Sequence, residues 1–342
     1  MRRWTGLLLR AALLLLAAAM VGRGLPPGVW RWFTPEHLLE TAVRLETGAV
    51  RAPAESAAPE IVLAAPEPTP SPVPTPAPDV PDHTPEGLPI LPASFPGGLT
   101  LRNATDDTPD LAALLAEGPS WRFSPEGPQV LIVHTHTSEA YTPSDGNRYE
   151  ASDTMRTQDP NFNILRVGDV LASRLEAAGL SVLHDRTVND YPSYAGAYSR
   201  SGAVVEQMLA EYPSIRLVID LHRDALCSDT VVYKTVAELP DAEPCAQVMF
   251  VVGTDSLGLE HPDWRENLKL AVWLQDAVTQ RHPTLMRPID LVRERYNQHL
   301  CPGMMLIEIG SSGNTLPEAV RAAELLGDAM GSALAGLIEN GE

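Results

Sequence analysis

Two imidazoles and a carboxylate occur within six residues of one another in the segment His134-Thr-His136-Thr-Ser-Glu139. The four residues before it, Val130 to Val133, are all apolar and predict a buried strand. In open α/β sheets the carboxyl ends of the strands form the crevice that binds ligands. Catalytic zinc binds three protein ligands, drawn from histidine and carboxylate side chains, and a water molecule. The segment therefore indicates a metal site, and the alternative is a polar loop with one functional histidine.

Two further apolar segments end in residues of the same kind. An Arg-Leu-Val-Ile-Asp-Leu segment leads into His222, and a Met-Met-Leu-Ile segment leads into Glu308. Strands that end at one edge of a sheet would bring these residues together. We therefore predict that His136, Glu139 and His222 bind the metal. His134 competes as the ligand from the first strand, because residues two apart point to the same side of a continuing strand.

Glu308 differs from the predicted ligands because its strand neighbours are aliphatic. A poorly solvated carboxyl group has a raised pKa, and a pKa near neutrality suits a general base. The alternative is a structural role, in which Glu308 is a buried carboxylate paired with Arg223 or Arg295. Both interpretations require a partner, since a buried charge without one is too costly.

The other reactive residues limit the kinds of catalytic site that the sequence indicates. Asp220 and Asp224 flank His222, and either could orient its second ring nitrogen. No CxxC pair, glycine-rich phosphate loop or GxSxG motif occurs, so a thiolate zinc site, a nucleotide site and a serine hydrolase are not indicated. The three cysteines lie far apart in the sequence and are interpreted as small buried side chains. The sequence does not decide whether the first two form a disulfide. The three cysteines are Cys227, Cys245 and Cys301.

The overall charge excludes two classes of partner. The 342 residues include 25 Lys and Arg against 44 Asp and Glu, which gives a formal net charge of −19. Nucleic-acid binding needs a basic surface, and so does attraction to anionic lipid by a polybasic segment. Neither kind of interaction is expected.

Three segments precede the region that can form a core. Residues 1–25 carry two arginines before an apolar run. They predict an uncleaved signal anchor that crosses the cytoplasmic membrane through residues 4–22, with a cleaved secretory signal as the alternative. The positive-inside rule then places the rest of the chain outside the cytoplasm. Residues 26–51 form a juxtamembrane segment, and the proline-rich residues 52–97 predict an extended, disordered linker.

The rest of the chain predicts a single α/β domain. Residues 98–127 form a transition segment with a strand-like piece and a short helix, and residues 128–342 form the catalytic domain. Strands alternate with helices there, which predicts a three-layer arrangement with a largely parallel sheet flanked by helices. The predicted strands are 129–134, 180–184, 215–221, 246–252 and 304–309, and the predicted helices are 161–178, 199–210, 262–281 and 315–338.

Several motifs, in this order, resemble the stage II sporulation protein P family. They are VLIVHTHTSEAY (130–141), VGD (167–169), HDRT (184–187), PSY (192–194), IDLHRD (219–224), VVGT (251–254), HPDW (261–264), YNQ (296–298) and LIEIGSSGNT (306–315). The resemblance implies a zinc-dependent N-acetylmuramoyl-L-alanine amidase that acts on peptidoglycan during engulfment of the forespore. It also implies endopeptidase activity on peptide cross-links, and the stage II sporulation proteins D and M as partners.

The resemblance extends to the fold of the zinc amidase superfamily, whose first strand ends in a Pro-Gly-His motif. Aligning that motif with the end of the first strand here favours His136 over His134. The glutamate ligand of the superfamily lies at the start of the next helix, a position that falls near Asn161 or Asn163 in this chain, and asparagine is a poor zinc ligand. Glu139 is therefore the predicted replacement, and Glu150 is the second choice.

The expected reaction is hydrolysis of the amide between N-acetylmuramic acid and the L-alanine of the stem peptide. Glu308 would accept the proton of the attacking water, and Arg223 or backbone N–H groups would stabilise the oxyanion. One alternative is a zinc peptidase that acts only on stem-peptide cross-links. Another is a wall-binding scaffold without catalysis, which the joint presence of imidazoles and carboxylates at the strand ends disfavours.

Overall fold

The computed structural model describes residues 88–339, except residues 94, 96, 97 and 229. The predicted anchor (1–25), the juxtamembrane segment (26–51) and most of the predicted linker (52–97) lie outside the described residues. Within the described part of the chain, no helix is long and apolar enough to cross a membrane.

The described residues form nine strands and five α-helices. The strands are β1 (Ile90–Ala93), β2 (Leu101–Asn103), β3 (Val130–Val133), β4 (Val182–His184), β5 (Leu217–Asp224), β6 (Val232–Thr235), β7 (Val248–Gly253), β8 (Ile289–Val292) and β9 (Met304–Ser311). The helices are α1 (Leu111–Glu117), α2 (Ile164–Ala177), α3 (Ala197–Glu211), α4 (Trp264–Arg281) and α5 (Leu316–Ala335), and a 3₁₀ turn covers Gln298–Leu300.

Seven strands form the central sheet, in the order β2-β8-β7-β9-β5-β3-β4. All neighbours in this sheet are parallel except β7 and β9, which are antiparallel. The prediction of a largely parallel sheet is therefore confirmed. Because β3, β5 and β9 run in the same direction, their carboxyl ends lie at the same edge.

The two faces of the sheet have different cores, which confirms the three-layer prediction. Alternate residues of β5, among them Leu217, Ile219 and Leu221, pack in the larger core with α2, α4 and α5. Val218 and residues of β3 pack in a smaller cluster with Val205 of α3 on the other face. Successive side chains of a strand point to opposite faces, so the even-numbered residues of β5 lie on the α3 face.

Helix ends follow local sequence signals. The side chain of Asn163 accepts a hydrogen bond from the backbone N–H of Leu165, so α2 begins there. Thr315 and Glu318 form the predicted capping box at the start of α5, in which each side chain accepts from the backbone N–H of the other. These contacts replace hydrogen bonds that the first turn of a helix cannot make internally.

The fold begins earlier in the chain than residue 128. Strand β1 lies inside the predicted linker (52–97) and pairs in parallel with β6. Strand β2 and helix α1 lie inside the predicted transition segment (98–127), and β2 pairs with β8 at the edge of the central sheet. Strand β8 itself was not predicted, because its four residues include a charged aspartate and follow a proline.

Candidate active site

The carboxyl ends of three strands bring the predicted residues together. His136 and Glu139 lie in the turn that follows β3, while His222 and Glu308 are directly opposite each other in the register of β5 and β9. Register partners in a sheet point to the same face, and alternation places both on the face covered by α3. Chain segments far apart in sequence therefore deliver two imidazoles and two carboxyl groups to one place.

His136 is buried and keeps one ring nitrogen free. Its Nδ1 has no hydrogen-bond partner among the described residues, while its Nε2 lies 3.0 Å from the hydroxyl oxygen of Tyr194. The tyrosine ring stacks on the imidazole at a centroid distance of 4.4 Å. Burial lowers the pKa of His136 to about 3, although Glu139 acts in the opposite direction. The ring is therefore neutral, which is the form that binds a metal ion.

His222 is held between two carboxylates. Its Nε2 lies 2.9 Å from Oδ1 of Asp220, and its Nδ1 lies 3.5 Å from Oε2 of Glu139. Burial alone would lower the pKa of His222, but the two carboxylates outweigh burial and raise it well above its ordinary value. Asp220 also accepts hydrogen bonds from the backbone N–H and the hydroxyl of Thr135, at 2.8 and 2.7 Å. Asp220 is thus the residue that orients His222, whereas Asp224 pairs with a neighbouring arginine.

Glu139 is a buried carboxylate with positive or donating groups around it. Its Oε2 accepts from the backbone N–H of Arg223 at 3.1 Å, and its Oε1 lies 3.8 Å from the guanidinium of Arg156. Burial would raise the pKa of Glu139, but His222 and Arg223 together hold it below its usual range. Glu150, the second choice as a ligand, is exposed. The structure therefore brings Glu139 to His222 in an ionised form.

Glu308 has the opposite electrostatic character. Its Oε2 is buried without a hydrogen-bond partner among the described residues, and it forms no ion pair there with Arg223 or Arg295. Burial raises the pKa of Glu308 well above its ordinary value, and the nearby Asp224 raises it further. The pKa values of Glu139 and Glu308 are therefore shifted in opposite directions. Such a pattern is typical of sites in which one carboxyl group is charged and the other carries a proton.

His134 does not join the other two imidazoles. The strand ends at Val133, so the chain turns before the alternation of a continuing strand can place His134 beside His136. Its Nδ1 lies 2.9 Å from the carbonyl oxygen of Leu221, and its Nε2 lies 2.8 Å from Nε2 of His184. Both ring nitrogens of His134 are engaged in these contacts, so neither is free to bind a metal ion, in contrast to Nδ1 of His136.

Arg223 makes contacts that position the site. Its Nε donates to the carbonyl oxygen of Ala140 at 2.8 Å, and its Nη2 donates to that of Met155 at 2.9 Å. These bonds tie β5 to the segment after Glu139. The predicted oxyanion role of Arg223 stays a prediction, since two of its donor groups are engaged with the backbone.

Several residues of the site were not predicted from the sequence. Arg156 donates to Asp190 at 2.8 Å and lies over the ring of Tyr194, with its Cζ 4.8 Å from the ring centroid. Tyr198 packs edge-on against His136 at a centroid distance of 5.6 Å. These residues come from two loops and a helix start, where no periodic pattern marks them. The only feature of the sequence that could have indicated them is the group of aromatic residues near 191–198.

The residues of the site are compatible with a metal ion. Within the described part of the chain, no three His, Cys, Asp or Glu residues are arranged to hold an ion as they stand. The ring centroids of His136 and His222 are 5.3 Å apart. Two imidazoles on one tetrahedral zinc ion have centroids about 5 Å apart, because each Zn–N bond is about 2.0 Å. The free Nδ1 of His136 and the ionised Glu139 are suitable ligands.

Comparison with known proteins identifies the family. Residues 98–331 match the model of the family described as Stage II sporulation protein P (SpoIIP). The chain belongs to this family. The Stage II sporulation protein P of Bacillus subtilis (strain 168) is 29% identical over 212 residues, which are 58% of this chain and 49% of that protein. The chain thus spans about half the length of this curated relative.

Solved structures of low identity were also found for this SpoIIP-family chain. An N-acetylmuramoyl-L-alanine amidase from Clostridium difficile 630 is 13% identical with a TM-score of 0.34, over 62% of this chain and 95% of that one. The catalytic domain of CwlV, an N-acetylmuramoyl-L-alanine amidase from Bacillus (Paenibacillus) polymyxa var. colistinus, is 13% identical with a TM-score of 0.32, over 59% and 95%. Likenesses at these TM-scores support no conclusion about function.

Proposed function

We propose that this chain is a zinc-dependent peptidoglycan hydrolase of sporulating cells. It would cleave the amide between N-acetylmuramic acid and the L-alanine of the stem peptide. The proposal rests on the convergence of His136, Glu139 and His222 with Glu308. The pKa of Glu308 is shifted in the direction opposite to that of Glu139. Membership of the SpoIIP family supports the link to sporulation.

His136, Glu139 and His222 would hold the zinc ion. When bound, the ion would polarise the scissile carbonyl and lower the pKa of a water molecule toward about 7. Oδ1 of Asp220 lies 2.9 Å from Nε2 of His222, while Nδ1 of His222 lies on the side of Glu139. A carboxylate on the second ring nitrogen fixes the orientation of a metal-binding imidazole and raises its basicity.

Glu308 would carry the proton from the attacking water to the leaving amine. Burial raises the pKa of Glu308 above that of an ordinary glutamate, so its carboxyl group holds a transferred proton more firmly, as a proton carrier requires. The unpartnered Oε2 is the atom available for this transfer. Tyr194, which is more than half exposed, covers His136 and forms one wall of the site.

The location of the enzyme is part of the same proposal. Residues 4–22 would anchor it in the cytoplasmic membrane, with the described residues outside the cytoplasm. The stage II sporulation proteins D and M would be its partners. Protease added to intact protoplasts should remove the domain, and full protection would contradict this topology.

The decisive experiment is to digest purified peptidoglycan with the full chain and to analyse the products by mass spectrometry. Amidase action frees the amine of L-alanine, whereas peptidase action leaves it blocked and exposes an amine within a cross-link. A Glu308→Gln protein, prepared in parallel, controls for contaminating hydrolases. Products without a free L-alanine amine would refute the amidase assignment, and products from cross-links alone would favour the peptidase.

A further inference from the structure

A second cluster of basic side chains lies outside the candidate active site. His261 precedes α4, while Arg295 and His299 lie between β8 and β9. His261 is only 1% exposed, and neither of its ring nitrogens has a hydrogen-bond partner among the described residues. Nδ1 of His299 and Nε of Arg295 are likewise buried, and neither has a hydrogen-bond partner within the described part of the chain. Buried polar groups without partners are uncommon, so their accumulation at one place points to a ligand.

The three side chains are close enough to act together. The ring centroids of His261 and His299 are 6.5 Å apart, with an angle of 79° between the rings. Nη1 of Arg295 donates to the carbonyl oxygen of Glu260 at 2.8 Å, which ties the guanidinium to the residue before His261. Burial lowers the pKa of each histidine to about 4, and the positive charge of Arg295 contributes to the lowering of both.

The composition of the cluster favours an anion. A guanidinium binds carboxylate through charge-assisted hydrogen bonds, and it repels a metal cation. Among the described residues, no carboxylate is a source of the pKa shift of His261 or His299. Glu260 partly compensates Arg295, but burial still lowers the pKa of that guanidinium. Unpartnered N–H groups beside one fixed positive charge are suited to an oxyanion, in a chain whose net charge is −19.

The position of the cluster relates it to the candidate active site. The segment that carries Arg295 leads into β9, and Glu308 lies four residues after the start of that strand. Tyr296 packs on Tyr198 at a centroid distance of 5.5 Å, and Tyr198 packs on His136 at 5.6 Å. These two contacts place the ring of Tyr296, the residue after Arg295, no more than about 11 Å from the ring of His136, a distance that an extended peptide of about four residues can span.

We propose that His261, Arg295 and His299 bind the free carboxylate of the substrate's peptide while the scissile amide lies at the candidate active site. The inference rests on the proposed function and deepens it, since it names the part of the substrate that is held away from the reacting bond. Arg295 would supply the fixed positive charge, and the two imidazoles would supply additional N–H donors.

Anion binding can be tested without any hydrolysis. In the full chain, ¹⁵N-labelled imidazole resonances of His261 and His299 should shift saturably on titration with acetate. Arg295→Gln should weaken this binding tenfold or more, because it removes the fixed positive charge and its charge-assisted hydrogen bonds to the anion. Arg293→Gln is the matched control, because it removes an exposed arginine from the same segment and should leave the titration unchanged.

Two results of this titration would overturn the anion site. One is the absence of any acetate-dependent shift of either histidine. The other is a saturable response to Zn²⁺ in the absence of a response to acetate, which would make the pair a metal site. Arg295 is only partly buried, so its replacement leaves the packing of His261 in place and a folded variant is expected.

The assignment to the substrate needs a second measurement. Two muropeptides that differ only in a free or an amidated peptide terminus are compared as substrates. The wild-type and Arg293→Gln proteins should show a KM at least fivefold lower for the free acid. Arg295→Gln should lose that preference with kcat unchanged. Equal KM values in the wild type would overturn the assignment, while no hydrolysis of either compound would refute the proposed function and leave the acetate result standing.

Discussion

Replacing Glu308 with glutamine separates proton transfer from metal binding. Glutamine keeps the size of the side chain and its capacity for hydrogen bonds, but it cannot accept a proton as a carboxylate does. Because general-base catalysis contributes about 10²–10⁴-fold, turnover of peptidoglycan should fall by that factor. The variant should retain about one zinc ion per chain, because the predicted ligands remain His136, Glu139 and His222.

The same substitution has a stability effect whose sign follows from the site. An unfolded glutamate has a pKa of about 4.3. Burial, and then Asp224, raise the pKa of Glu308 in the folded state, so the folded state binds this proton more tightly than the unfolded state. The free energy of unfolding should therefore fall as pH rises from about 4.3 to the folded pKa, by about 1.4 kcal/mol for each pH unit between these two values. Glutamine does not titrate, so the free energy of unfolding of the variant should not show this decrease.

The measurements are metal analysis, product release from peptidoglycan, and thermal unfolding of the chelator-treated proteins between pH 4 and pH 8. The expected result is a zinc-loaded, inactive variant whose Tm advantage over the wild type grows with pH. A zinc-free Glu308→Gln protein would mean that Glu308 is a ligand. A fully active one, or a Tm difference independent of pH, would refute the role of its raised pKa.

The remaining predictions concern the ligands, their support and the packing. Glu139→Ala and His222→Ala should each remove most of the bound zinc and the activity, and a zinc-loaded, active variant of either would show that it is not a ligand. Asp220→Asn should weaken zinc affinity by about 10–100-fold, the usual effect of losing a carboxylate that orients a metal-binding histidine. Asp224→Asn is its control and should leave zinc affinity unchanged in a competition assay. Gly303→Ala should lower the free energy of unfolding by about 1–3 kcal/mol, because the added Cβ would lie 2.0 Å from a backbone carbonyl oxygen. An unchanged Tm would contradict that last expectation.

The sequence predicted the fold class and most of the central strands because their apolar runs are unambiguous. Strands β3, β5 and β9 are continuous runs of mostly buried residues, and each carries or leads into a polar residue of the site. Strand β8 escaped prediction because four residues with an aspartate give too little pattern. Strand β1 escaped because a strand of mixed burial next to prolines looks like the end of a linker.

Only the site residues that lie on strands could be predicted from the sequence with their neighbours in space. His222 and Glu308 follow from their strands, since register places them side by side. Alternation could not decide between His134 and His136, because the chain leaves the strand at Val133 and the turn sets the direction of each ring. Arg156 and the aromatic residues reach the site through loops whose course depends on tertiary contacts, and no local spacing encodes that course.

The register shift in β9 gives Glu308, the proposed general base, a signature that a sequence search could use. His222 is opposite Glu308, but Asp224 is opposite Ser311, so β9 contains one residue more than β5 over this interval. Gly310 has a φ of 67° and accommodates the extra residue in a conformation that other residues rarely adopt. In a distant relative, a glutamate two positions before a glycine, at the end of an apolar run, would mark the counterpart of Glu308 even where the histidine motif has diverged.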